Sequence, residues 1–338
     1  MVSADTVKII EALRKGIPPN GAVRYFTVGR DSEIAELRRL LQDRNAGALF
    51  LNGNFGAGKT HLIRFIREEA LKQKYAVSVV NLDSKNGIRF NRMDQILAAI
   101  CRNIEFPPEF AYADMEKKYL HKKQTQYEIL AYASLTRNYI NKAEVSFIFS
   151  VSEGKSADND SSYKKDDYAG CWQVLRGIHA GLPRVGLKGL VILFDEFEDI
   201  LTNLKNIKFQ DKAFQNMFRF CGGEYGKTFF AVTPEFVDKC YRRYASLDTY
   251  TLQNKYVFSY EKFRAIPQFE MAPLEMASLI TLGKKIVHLH GLAYGWDTSK
   301  YYSDSVLSDW LKKADIRVAD RTRQSITTLI RELDALLP

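Results

Sequence analysis

The chain reads as an α/β protein: a parallel sheet sandwiched by helices, followed by a smaller helical subdomain. Three observations predict this. Four short runs that read as strands, at 48–51, 75–83, 190–194 and 228–232, alternate with amphipathic helical stretches. A glycine-rich turn at 53–60 joins the first run to a helix. After Pro234 the pattern becomes mainly helical. Strands alternating with helices imply βαβ units and a sheet covered on both faces.

Taken in order, Val7, Ile10 and Leu13 share one face of a short helix that Asp5 caps and Gly16-Ile17-Pro18-Pro19 ends. Asp31 or Ser32 caps a second helix with Ile34, Leu37 and Leu41 inside. Ala48-Leu49-Phe50-Leu51 is apolar throughout, as a buried parallel strand requires. A helix over 60–72 follows, then a strand over 75–83 and a helix over 93–104. An insertion spans 107–167 and ends in the polar run 152–167, which reads as an exposed loop because it has too little apolar surface to bury. Strands at 190–194 and 228–232 complete the sheet. Helices over 274–292, 303–313 and 322–337 form the helical part. The expected division is therefore 1–271 for the α/β domain and 272–338 for the helical subdomain.

The 338 residues are 46% hydrophobic and 26% charged, globular proportions. No apolar run is long enough to span a membrane and the first residues lack a signal-peptide pattern, so a cytoplasmic protein is expected. The four cysteines are scattered without a Cys-x-x-Cys pair, which argues against zinc. Lysine and arginine total 49 against 40 acidic residues, a net charge of +9 that suits a polyanionic partner such as DNA.

Gly53-Asn54-Phe55-Gly56-Ala57-Gly58-Lys59-Thr60 satisfies the phosphate-loop pattern G-x-x-x-x-G-K-[ST]. Glycines at 53, 56 and 58 let the backbone curl so that successive N–H groups point at an anion. The helix that follows adds its partial positive end. Lys59 is placed for the β- and γ-phosphates of ATP and the Thr60 hydroxyl for Mg²⁺. His61, next in the chain, packs or caps beside the loop. The strand at 190–194 runs into Asp195 and Glu196. Carboxylates at the end of a parallel strand lie where such sheets bind ligands. Asp195 is the candidate to hold Mg²⁺ and Glu196 the candidate base for the attacking water.

These residues resemble the AAA+ branch of P-loop ATPases. The resemblance implies that Thr233 is sensor 1, that Gly29 and Arg30 in Val28-Gly29-Arg30 lie on the adenine side, and that residues 272–338 form a lid. It also implies that Arg323, with Arg321 as rival, is sensor 2. No arginine finger can be assigned among Arg242, Arg243 and Arg264. The segments 12–30, 53–70 and 81–96 are similar, more closely, to the BREX-system ATP-binding family related to BrxC and BrxD. That resemblance implies an ATPase in prokaryotic defence against phage. Its partners would be DNA and other defence proteins such as a helicase, nuclease or methyltransferase, with assembly into a homo-oligomer also open. Two other functions fit the residues: a nucleotide-gated scaffold with little turnover, and a DNA loader of the transposition or replication type.

Overall fold

A computed structural model describes residues 4–19, 21–43, 47–83, 87–108, 168–244, 263–313 and 321–338. Nearly all of the insertion expected over 107–167 therefore lies outside the described residues. Two compact units are discontinuous in sequence. One comprises 1–39, 52–66 and 270–338, and the other 40–51 and 67–269.

The second unit holds a mixed sheet of six strands: β1 (Ala48–Asn52), β2 (Ala76–Asn81), β3 (Ile104–Glu105), β4 (Leu190–Asp195), β5 (Lys227–Val232) and β6 (Gln268–Glu270). Their order is β3-β2-β4-β5-β1-β6. β2 runs parallel to β4, from Ala76 opposite Leu190 to Asn81 opposite Asp195. β4 runs parallel to β5, with Phe194 opposite Phe230. Every residue of β4 and β5 is buried, as expected of strands with both faces covered. Helices flank the sheet: α5 (Met93–Arg102) packs on β2, and α8 (Ile207–Cys221) on β5.

One edge departs from the all-parallel expectation. β3 pairs with β2 antiparallel, Ser78 opposite Ile104. The helix expected to reach residue 104 stops at Arg102, and the N–H of its C-cap Asn103 returns to Ala99. After this helix the chain passes through Asn103 directly into the two-residue β3, which meets β2 antiparallel.

The core of this unit is strongly aromatic. Phe197 is fully buried and its ring lies 4.6 Å from Phe230, 4.8 Å from Phe90 and 5.6 Å from Phe236. Phe194 stacks on Phe230 at 5.4 Å. Such pairs each add roughly 0.5–1.5 kcal/mol beyond the area they bury.

The first unit is helical apart from the turn at 53–58. α1 (Ala4–Arg14) packs on α10 (Met276–Tyr294) and α12 (Arg321–Asp334), with α11 (Asp304–Lys312) beside them. Ile10 and Leu13 share a core with Ile286, Val287, Leu307, Leu329, Ile330 and Leu333. The three C-terminal helices stand within two or three residues of the expected positions, but the partnership with α1 was not expected. A polar network seals it. Arg14 grips Asp334 through Nε at 2.9 Å and Nη2 at 2.8 Å. His290, fully buried, accepts from the Trp296 indole N–H at Nδ1 (3.0 Å). Its Nε2 must therefore carry the proton, and it donates to Asp334 at 3.0 Å. Both nitrogens of this neutral ring are therefore satisfied.

The second expected helix, α3 (Asp31–Gln42), starts one residue early: the Arg30 carbonyl receives the Ile34 N–H at 2.9 Å. Asp31 therefore opens this helix instead of capping it.

Candidate phosphate loop and acidic strand end

In the first unit the polypeptide leaves β1 at Asn52 and curls through 53–58 into α4 (Lys59–Lys72). The Ala57 N–H returns to the Asn54 carbonyl at 3.1 Å, and the Leu62 N–H to Gly58 at 2.9 Å. Gly56 has φ +75° and Gly58 φ +98°, angles that side-chain-bearing residues rarely adopt. A Cβ on Gly53 would sit 3.0 Å from the Met271 Cβ and 3.2 Å from the Ala57 Cβ. The backbone thus forms a closely bounded cradle at a helix start, where the first N–H groups have no partner within the helix. Lys59 is buried, and its Nζ donates to the Gly53 carbonyl at 2.7 Å and to Asn54 at 3.4 Å. Phe55 is 65% exposed, with the Lys59 ammonium 5.2 Å from its ring centre. Thr60 is half-buried in the first turn of α4.

His61 faces Thr27. The Thr27 hydroxyl donates to the Val23 carbonyl at 2.9 Å, so its oxygen accepts from His61 Nε2–H at 2.8 Å. Burial, with Arg30 and Arg64 adding to it, pushes His61 down to about 4. The folded state thus binds fewer protons than the unfolded state between its pKa and the ordinary 6.5. Stability is full above pH 6.5 and falls as pH drops toward 4. His61→Gln is expected to flatten the slope of the urea midpoint against pH in that window. An unchanged slope would assign it to other groups.

Gly29 and Arg30 form a turn against the start of the C-terminal helices. Gly29 has φ +60°, and a Cβ there would lie 2.3 Å from the Ser278 hydroxyl. Arg30 is buried with its fork on protein groups: Glu33 Oε1 at 2.9 Å, the Ala57 carbonyl at 2.8 Å and the Ala272 carbonyl at 2.7 Å. Arg323 is exposed, and its stem lies against the Gly16 turn.

In the second unit, β2, β4 and β5 end in polar residues on one edge of the sheet: Asn81, Asp195 and, just past β5, Thr233. Asp195 is buried, and its Oδ1 accepts the Glu196 N–H at 3.1 Å. Glu196 adopts φ 54° and ψ 39°, left-handed. Among the described residues only Lys74 shares such a φ without being glycine. That backbone costs roughly 1–2 kcal/mol, and strain of this kind persists only where the surroundings enforce it. Here Phe197, driven into the aromatic core, and the Asp199 N–H, donating to the Glu196 carbonyl at 3.1 Å, enforce it. Thr233 caps the next helix, α9 (Pro234–Tyr244), its hydroxyl accepting from the Phe236 N–H at 3.3 Å.

Sequence reasoning passed over two residues. Asn52, at the end of β1, is buried with an unpaired side-chain Oδ1. Asn81 stands opposite Asp195 in register. The available signal was a polar residue closing an apolar strand.

The family profile described as BREX system ATP-binding protein BrxC/D matches residues 2–127 and 164–337. The chain belongs to this family. The BrxC/D match runs through residue 127, so only the middle of the expected insertion, 128–163, falls outside the shared pattern. Membership implies nucleotide binding and supports a role in BREX-type phage defence alongside other defence proteins. No curated protein matches this chain. Among the described residues no helix is long and apolar enough to cross a membrane.

The family context suggests use of ATP with Mg²⁺. Among the described residues no group of three or more His, Cys, Asp or Glu is poised for a metal. Magnesium with a nucleotide needs no such cage, since one or two protein oxygens, phosphates and water complete its shell. The four cysteines are free thiols, and burial pushes Cys101 and Cys221 up to about 12, which keeps them inert.

Proposed function

We propose that this BrxC/D-family protein binds and hydrolyses ATP in the manner of AAA+ ATPases, acting on DNA with other defence proteins. The observation that carries the reading is the loop at 53–60, with its left-handed glycines and Lys59 at the opening of α4. Lys59 and the first N–H groups of α4 hold the phosphates. Thr60 and Asp195 would hold Mg²⁺, which supplies charge neutralisation for the phosphates. Glu196 orients the attacking water and takes its proton. Thr233 keeps a hydroxyl proton to donate at the strand end, because its helix-capping bond uses the oxygen only as an acceptor. Gly29 frames the adenine side, and the helices of 272–338 act as the lid, with Arg323 as its phosphate-sensing arginine.

The test is steady-state ATP hydrolysis with and without duplex DNA, and with magnesium chelated. Wild type should turn over ATP, respond to DNA and stop on chelation. Lys59→Ala should weaken ATP binding roughly 10- to 100-fold, the worth of a hydrogen bond to a charged group. Absence of turnover with tight ATP binding would leave a nucleotide-gated scaffold as the function.

A further inference from the structure

The peptide joining Ala57 to Gly58 ends on a glycine with room around it. Gly58 has φ +98°, and the nearest atom to a Cβ placed there is the Met271 Cε at 3.9 Å. Glycine populates either sign of φ at similar cost, so Gly58 itself does not hold this peptide in one orientation. A planar trans peptide points its C=O and N–H in opposite directions. One orientation of the Ala57–Gly58 peptide offers a phosphate the Gly58 N–H, and the reverse offers it a carbonyl dipole that repels it.

A buried cation selects the orientation. Arg30 Nη2 donates both to the Ala57 carbonyl (2.8 Å) and to the Ala272 carbonyl (2.7 Å). Its Nη1 is held by Glu33 at 2.9 Å, and Glu33 by the Ser32 hydroxyl at 2.8 Å. Anchoring the Ala57 carbonyl on Arg30 aims the Gly58 N–H away from Arg30. The same fork ties the loop to the residues just before α10, where the Met271 N–H also donates to the Asn52 carbonyl at 2.7 Å. We propose that Arg30 is a positioning residue for the phosphate loop, locking the Ala57–Gly58 peptide with its N–H toward phosphate. The inference rests on reading 53–60 as a phosphate loop, and it gives Arg30 a task other than contact with the base.

The test is calorimetric titration of the full chain with ADP and, separately, with pyrophosphate, which carries no base. Wild type, Arg30→Gln and Arg30→Lys are compared at a temperature where circular dichroism shows each folded. Arg30→Gln should weaken both ligands about tenfold or more, from the lost charged hydrogen bonds. Arg30→Lys should recover part of this, because an ammonium can hold one carbonyl but lacks the planar fork. It also carries the test alone if the glutamine variant does not fold. A fall in melting temperature is expected from any broken buried ion pair and is not the readout. Unchanged affinity for both ligands would overturn the inference while sparing the phosphate loop. Loss of ADP binding with pyrophosphate binding intact would overturn it too, making Arg30 an adenine-side contact. If wild type binds neither ligand, the phosphate-loop reading fails and the inference with it.

Discussion

Replacing Glu196 by glutamine is expected to cut ATP turnover by about 10²- to 10⁴-fold, the usual contribution of a positioned general base. ATP affinity should change little, because the amide is nearly isosteric and Glu196 lies outside the segment 53–60. Glutamine can still hydrogen-bond a water but cannot take its proton. The geometry of the strand end gives a second arm. Glu196 holds a left-handed backbone at φ 54°, which glycine adopts without steric cost. Glu196→Gly should therefore abolish turnover while leaving stability unchanged or slightly raised, a combination that separates function from folding. Turnover by initial rates and stability by urea midpoint decide it. Wild-type turnover in Glu196→Gln would remove Glu196 as the base. A large loss of stability in Glu196→Gly would show that the side chain serves the fold.

Much of the architecture was legible because its signals are local. Leu190-Val191-Ile192-Leu193-Phe194 is apolar throughout and too short for a typical helix, as a strand buried on both faces is; β4 stands there. The turn at 53–58 and the helix after it were equally plain, since glycines there permit the left-handed backbone the turn adopts. What escaped were features that no local pattern encodes. Ile104 and Glu105 are too few to show a period, so the reversed edge strand was missed and Ile104 was read as the end of the preceding helix. Arg14 meets Asp334 across 320 residues of chain, and nothing near either end announces the other.

The candidate site shows the same limit. Arg30 was expected on the adenine side by resemblance, but besides Glu33 its partners are the backbone carbonyls of Ala57 and Ala272. A carbonyl has no residue identity, so such a contact leaves no trace in sequence. The strain at Glu196 is silent for the same reason: it comes from how the chain leaves β4, and not from any residue type that favours it. The compact units, discontinuous in sequence, could not be drawn from chain order.

Phe197→Ala is expected to destabilise the protein by about 3–5 kcal/mol, the range for emptying a large aromatic side chain from a packed core. The ring is fully buried, with Phe230, Phe90, Phe236 and Phe194 all within 6.0 Å. No small shift closes a hole lined by four rigid rings. The consequence extends to Glu196, since a left-handed non-glycine residue relaxes when the anchor behind it is removed. Phe197→Ala should therefore lose turnover even where it remains folded. Phe197→Leu, which keeps most of the volume, should cost less stability and keep more turnover, because a well-filled site tolerates apolar exchange. Urea unfolding followed by initial rates at low denaturant makes the comparison. Equal turnover in the alanine and leucine variants, despite unequal stability, would show that the Glu196 backbone does not depend on Phe197. Turnover that tracks the filled volume would instead make the aromatic core the support that holds the proposed base in its strained position.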